Sequence, residues 1–133
     1  MRIKNGKFGG FRKEYFLNNA SAQSVWNQIS TSRGLSEWFA PKVDITGNDI
    51  HIFWDEVGDN RKALIVKREP KQCIKWIWDD DPNSYISLEI VYTELSHTIS
   101  LIVDDHDEGL DPETLEELWA NHIERLLGTL GLS

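Results

Sequence analysis

The sequence predicts an α+β domain in which a curved antiparallel sheet of about six to seven strands packs against one long C-terminal helix. Two short helical stretches lie between strands within residues 21–45. Residues 85–93 and 97–103 alternate apolar with polar side chains, as antiparallel strands with one buried face do. Residues 111–130 carry an apolar stripe at helical spacing, and a helix of this kind needs a sheet to lie on.

The two short helices follow a first strand, which is predicted at residues 11–17. Ser21 is a suitable N-cap for the first helix. Gly34 is expected to break the helical pattern, after which residues 35–39 form the second helix. Pro41 ends this helix, because proline lacks an N–H and disfavours helical geometry at the preceding residue.

The rest of the sheet is predicted from short apolar runs that are separated by turn-forming residues. Residues 79–84, which contain three acids and a proline, are expected to form a loop. The acidic run 104–109 is expected to form another. Further strands are predicted at residues 43–45, 50–54, 61–68, 72–78, 85–93 and 97–103.

The last helix has the clearest start signal in the chain. Asp111 is a capping residue, and Pro112 suits the first helical position. Gly128 and Gly131 mark its end. Its apolar stripe consists of Leu115, Leu118, Trp119, Ile123, Leu126, Leu127 and Leu130.

The length of 133 residues predicts one domain over residues 11–133, preceded by a flexible basic leader over residues 1–10. Cys73 is the only cysteine, so an intrachain disulfide is impossible, which suits a reducing cytoplasm. The N-terminal residues lack the apolar run of a secretory signal, and no stretch approaches the length of a membrane span. We therefore expect a cytoplasmic protein.

The charge distribution argues against a nucleic-acid partner. The chain has a net charge of −8, and residues 76–124 contain fourteen Asp and Glu but no Lys or Arg. A surface dominated by these acids would repel a phosphate backbone. A solvated acidic surface is a better interpretation than a dedicated site for a basic partner.

Several motifs together resemble the START-like superfamily, in the branch named after the activator of the heat-shock protein 90 ATPase. The resemblance extends over residues 11–131 and implies the helix-grip fold, which is also described as START/Bet v 1-like. Within this superfamily, the chain is most similar to small single-domain bacterial members. The matching pieces are residues 21–45, Phe53-Trp54-Asp55, Ile74-Lys75-Trp76-Ile77-Trp78, Thr93-Glu94-Leu95 before the strand 98–103, and Leu118-Trp119 followed by Ile123.

The resemblance implies a cavity between the long helix and the concave sheet, where apolar molecules can bind. The alternative is that the same residues simply fill a core, as buried aromatic side chains commonly do. His122 could anchor the polar end of a ligand or donate a proton, or it could be a half-buried group bonded to a neighbour. The candidate ligand-binding residues are Trp38, Phe39, Trp54, Trp76, Trp78, Trp119, His122, Ile123 and Leu127.

No catalytic, metal-binding or cofactor motif is found in the sequence. The run 104–109 superficially suggests a calcium loop, but the position that needs a bidentate glutamate is Leu115. Cys73 is expected to be an inert thiol. We expect no catalytic residue, no metal and no cofactor.

Three functions remain open at this stage. The first is binding of a small apolar or amphipathic ligand, which we favour. The second is a protein-interaction domain resembling a co-chaperone, and an exposed apolar patch at Trp38 and Phe39 would favour it. The third is an enzyme resembling the polyketide cyclases and aromatases, which would need His122, with Tyr85 or Tyr92, as acid–base groups. A monomer or a homodimer is expected.

Overall fold

The computed structural model describes residues 10–17, 19–54 and 58–132. Residues 1–9 of the predicted leader lie outside the described residues, and Gly10 begins the first strand. The described residues form β1 (Gly10–Phe16), α1 (Ala22–Ser30), α2 (Ser32–Trp38), β2 (Lys42–Thr46), β3 (Asp49–Phe53), β4 (Asn60–Glu69), β5 (Cys73–Trp78), β6 (Asp81–Thr93), β7 (Thr98–His106) and α3 (Pro112–Thr129).

The described strands form one sheet in the order β1-β7-β6-β5-β4-β3-β2, and every neighbouring pair is antiparallel. The register shifts between Ile65 and Lys67 in β4 and between Ile77 and Trp78 in β5. Such irregularities bend strands and increase their twist. The curved sheet packs around α3, so the predicted α+β architecture is confirmed. None of the described helices is both long and apolar enough to cross a membrane.

The predicted loop at residues 79–84 is wrong, because β6 already begins at Asp81. A turn at Asp79 and Asp80 is enough to reverse the chain. The Asp81 carboxylate accepts hydrogen bonds from the Asn83 N–H and the Ser84 hydroxyl, which orders the start of the strand. Pro82 is tolerated there because the register shift removes its position from the ladder between β5 and β6.

The predicted acidic loop at residues 104–109 is also wrong over its first half. Asp104, Asp105 and His106 extend β7, where they pair with β1 on one side and β6 on the other. Asp105 therefore continues the inward-facing series of Leu101 and Val103. This register directs one carboxylate of the acidic run into the protein.

Gly34 does not break the helical pattern but lies inside α2. The interruption falls at Thr31, whose backbone is extended and whose hydroxyl accepts a hydrogen bond from the Gly34 N–H at 2.9 Å. A Cβ atom on Gly34 would lie 2.3 Å from the carbonyl oxygen of Asn27 in α1. Glycine is required here because the two helices approach each other at backbone distance.

The long helix α3 begins as predicted, with Asp111 as N-cap and Pro112 in the first turn. Leu115, Trp119, Ile123 and Leu126 are buried against the sheet. Leu118 was predicted in the same stripe, but 42 % of it is exposed. Arg125 fixes α3 to the end of α2, since its Nε donates to the Trp38 carbonyl oxygen at 3.1 Å.

The first prediction concerns the contact between α1 and α2. Gly34→Ala should lower the free energy of unfolding by about 3 kcal/mol, because the new methyl group would collide with backbone atoms that cannot move independently. The matched control is Gly128→Ala, since a Cβ there meets nothing within 4 Å and alanine should stabilise α3 by up to about 1 kcal/mol. Urea unfolding of both variants checks this, and an unchanged stability of Gly34→Ala would contradict the close approach.

The second prediction concerns the start of α3. The Asp111 carboxylate accepts a hydrogen bond from the Thr114 N–H at 2.7 Å. Asp111→Ala should therefore cost about 1 kcal/mol of folding free energy, and Asp111→Asn should cost much less because asparagine also caps helices. Chemical unfolding of the two variants measures the difference. Equal stabilities would show that the cap contributes little.

Candidate functional site

A cleft of about 330 Å³ lies between α3 and the inner face of the sheet. Its walls are mainly aromatic and aliphatic, with a few polar side chains among them. The apolar lining residues are Phe39, Trp54, Trp78, Ile86, Leu110, Leu115, Leu118 and Trp119, and the polar ones are Arg61, Asp105, Asp107 and His122.

A second, smaller cleft of about 320 Å³ adjoins the first, which is the larger cleft of the two. Phe39, Trp54 and His122 line both clefts and form the partition between them. The second cleft is otherwise bounded by the end of α2 and by Arg125. The two clefts therefore form one region that is divided by three side chains.

The candidate residues from the sequence fall into three groups. Phe39, Trp54, Trp78, Trp119 and His122 line the larger cleft. Trp38 lines the second cleft only. Trp76, Ile123 and Leu127 pack in or against the hydrophobic core and are not among the residues that line either cleft.

Phe39 is the centre of the aromatic cluster at the partition. Its ring centroid lies 5.6 Å from Trp38 and 5.8 Å from both Trp76 and Trp119. The His122 ring lies 5.2 Å away. The rings meet in edge-on and tilted arrangements, which aromatic pairs prefer over face-to-face stacking. Phe39, just after the end of α2, is therefore held by α2, β5 and α3 at once.

His122 presents a hydrogen-bond donor to this region. Arg125 Nη2 lies 2.7 Å from His122 Nδ1, and a guanidinium can only donate, so Nδ1 accepts and the ring proton is on Nε2. Burial, together with the charge of Arg125, lowers the pKa of His122 to about 4. The ring is therefore neutral at physiological pH.

Asp105 is the buried acid of the cleft, with 7 % of the residue exposed. Trp119 Nε1 donates a hydrogen bond to its Oδ2 at 2.7 Å, which links α3 to β7. Burial raises the pKa of Asp105 to about 6, although the Trp119 hydrogen bond acts in the opposite direction. Asp105 can therefore hold or release a proton close to neutral pH.

Arg61 is the cation of the cleft, and it is already engaged. Its guanidinium lies 4.2 Å from the Trp78 ring centroid. Nη2 lies 2.9 Å from Asp80 Oδ1, and Nη1 lies 3.5 Å from Asp107 Oδ2. One positive charge is therefore shared between two carboxylates.

The polar residues of the cleft, apart from His122, were missed by the sequence analysis. The sequence predicts a loop at Asp105 and Asp107 and a strand at Arg61, and it assigns none of the three a role. Leu101 and Val103 occupy alternate positions along the strand. If this alternation is continued by one step, it predicts that Asp105 also faces inward. The same alternation, continued back from Ala63, places Arg61 on the inner face.

The tyrosines considered as acid–base partners of His122 lie elsewhere. Tyr85 stacks on His106 at 5.6 Å between ring centroids, on the outer face of the sheet. The Tyr92 hydroxyl lies 2.9 Å from His97 Nδ1 beside the turn between β6 and β7. Within residues 10–17, 19–54 and 58–132, no three His, Cys, Asp or Glu residues are grouped so as to hold a metal ion.

Comparison with known proteins identifies the family. A family model described as a START-like superfamily domain matches residues 7–132. The chain belongs to the START-like superfamily. A solution structure of BfR322 from Bacteroides fragilis is 32 % identical, with a TM-score of 0.63, over 90 % of this chain and 89 % of that one. No curated protein matches the sequence.

Two further START-like neighbours share the fold at low sequence identity. The Aha1 dimer from Colwellia psychrerythraea is 15 % identical, with a TM-score of 0.73, over 91 % of this chain and 95 % of that one. DynU16, encoded in the dynemicin biosynthetic locus, is 18 % identical, with a TM-score of 0.74, over 92 % of this chain and 47 % of that one. Both likenesses show the helix-grip fold.

The third prediction concerns the pH dependence of stability. The unfolded chain loses the Asp105 proton near pH 3.8 and the folded chain near pH 6, so folding becomes less favourable as the pH rises through this window. Above it, the full penalty is about 3 kcal/mol. Asp105→Asn should therefore stabilise the protein at pH 7.5 by up to about 3 kcal/mol, and the gain should shrink towards pH 4.

Urea unfolding between pH 4 and pH 8 measures this effect. Asp104→Asn is the matched control, since Asp104 is the neighbouring carboxylate on the outer face, 3.4 Å from Arg12. Its stability difference should stay within about 0.5 kcal/mol across the range. A loss of stability in Asp105→Asn at pH 7.5 would contradict the interpretation.

Proposed function

We propose that the protein binds a small amphipathic molecule in the cleft between α3 and the sheet. The observation that carries this proposal is the combination of apolar walls with a few polar groups that face the same space. Small-molecule sites have this composition and typically measure about 300–1,000 Å³. The volume of the larger cleft falls at the lower end of that range, which favours a compact ligand.

The protein-interaction alternative is less well supported. It requires an exposed apolar patch at Trp38 and Phe39, whereas 1 % of Trp38 and 3 % of Phe39 is exposed. Trp38 instead donates its Nε1 hydrogen bond to the Gln28 carbonyl oxygen of α1 at 2.8 Å. Both rings are parts of the interior.

One observation favours the enzyme alternative. Asp105 can exchange a proton near neutral pH, and His122 offers a neutral donor in the same cleft. General acid–base catalysis uses groups of this kind. A cyclase-like enzyme would therefore depend on Asp105 and His122, because neither Tyr85 nor Tyr92 lies in the cleft. Binding and turnover are distinguished by recovering the added ligand after incubation with the protein. An unchanged ligand indicates binding alone, and a converted ligand indicates turnover.

The fourth prediction tests ligand binding through intrinsic tryptophan fluorescence. Trp54, Trp78 and Trp119 border the larger cleft, so an occupant should change their emission. The panel comprises fatty acids, medium-chain alcohols and alkylamines, sterols and aromatic polyketides. We expect a saturable change with at least one class, and the absence of any response from the folded protein would contradict the proposal.

Leu118→Gln locates the response in the cleft. Leu118 borders the cleft and is already 42 % exposed, so a neutral polar side chain there should be tolerated by the fold but should weaken apolar binding about tenfold. Leu95→Gln is the matched control, because Leu95 is 99 % exposed in the turn after β6. Equal affinities of the two variants would place the binding site elsewhere.

A further inference from the structure

We propose that the ligand of the larger cleft is a cationic amphiphile, an organic amine or ammonium on an apolar body, and that Asp105 binds its charge. This inference rests on the proposed function and names the class of ligand. It is carried by the balance of charges in the cleft, by the surroundings of Asp105 and by the aromatic walls.

The described residues around the larger cleft carry more negative than positive charge. Asp105 and Asp107 line it, and Asp80 stands beside it through its contact with Arg61. Arg61 is the one permanent cation among the described lining residues, because His122 is neutral. With all three carboxylates ionised, the group carries a net negative charge. A positively charged ligand would neutralise it.

Asp105 lacks a cationic partner of its own. Trp119 Nε1 donates to Oδ2, and no described residue is hydrogen-bonded to Oδ1. Arg61 is held instead between Asp80 and Asp107. A carboxylate buried with a single neutral donor is poorly compensated for its lost hydration. An ammonium group at Oδ1 would supply a second hydrogen bond and the opposite charge.

The walls of the cleft also favour a cation. Aromatic faces attract ammonium and guanidinium groups. The Trp78 face is already occupied in this manner by Arg61, at 4.2 Å. Phe39, Trp54 and Trp119 line the same cleft and enclose the apolar body of a ligand. An anionic ligand, by contrast, would have to draw Arg61 away from two carboxylates.

The titration of Asp105 gives the proposal a directional consequence. The charged groups around this carboxylate are Asp104 beside it in β7, Asp107 in the following loop and Arg61 from β4, while α3 contributes the neutral His122. An alkylammonium stays charged throughout the range from pH 5 to pH 8, whereas Asp105 becomes ionised within it. The affinity for an amine should therefore rise with pH, because the carboxylate must be ionised to pair with it.

The test uses three isosteric probes, n-octylamine, n-octanol and n-octanoate, titrated into the full chain by calorimetry at pH 8 and pH 5. At pH 8 the amine should bind at least about tenfold more tightly than the alcohol, and the carboxylate should bind most weakly. At pH 5 the preference for the amine should largely disappear. Asp105→Asn should abolish the preference for the amine over the alcohol at pH 8, and Asp104→Asn should leave that preference unchanged.

The outcomes separate the two proposals. Octanol or octanoate binding as tightly as octylamine would overturn the cationic ligand but leave the binding site in place. A preference for the amine that survives Asp105→Asn would also overturn it, since the charge would then be bound elsewhere. Failure of all three probes to bind would contradict both this inference and the proposed function.

Discussion

The hydrogen bond between Trp119 and Asp105 is the interaction on which the arrangement of the cleft depends. It joins the long helix to the sheet inside the protein, at 2.7 Å between Nε1 and Oδ2. The Trp119 ring in turn contacts Trp38 and Phe39, with ring centroids 6.1 and 5.8 Å apart. Fixing one indole therefore fixes the distance of α3 from β7 and the position of the chain after α2. This side-chain pair therefore links the buried acid of the cleft to the aromatic cluster at its partition.

This arrangement carries a cost for the folded state. A buried tryptophan N–H usually has an acceptor, but a neutral acceptor such as an amide would satisfy it without a buried charge. With Asp105 in this position, the protein instead loses stability as the carboxylate ionises between about pH 4 and pH 6. Residues that lower stability in this way are commonly found where function requires them. The location of Asp105 in an aromatic cleft, beside an arginine that is already paired, accords with that pattern.

Much of the fold could be predicted from the sequence, because its signals are local. The cap at Asp111, the alternation along β6 and the stripe of α3 each depend on neighbouring residues in the chain. The error at the end of β7 arose because distant pairing decides the outcome there. Residues 104–106 belong to an acidic run that resembles a loop, yet β1 and β6 supply backbone partners on both sides and hold them in β7. The sequence pattern also identifies inward-facing aromatic residues but not how deeply each is buried, so it does not distinguish Trp76 from Trp54. Trp76 is fully buried, whereas Trp54 is 37 % exposed.

The partition between the two clefts determines how they could act together. Phe39 is held by four neighbouring rings, so its displacement would disrupt contacts with three parts of the fold. Trp54 has one described ring neighbour, Trp78 at 6.2 Å, and is partly in solvent. Of the three residues of the partition, Trp54 is therefore the most exposed. A ligand longer than the first cleft would keep its charged end at Asp105 and extend its apolar tail past Trp54 towards the end of α2. Such a ligand would also pass His122, which lines both clefts.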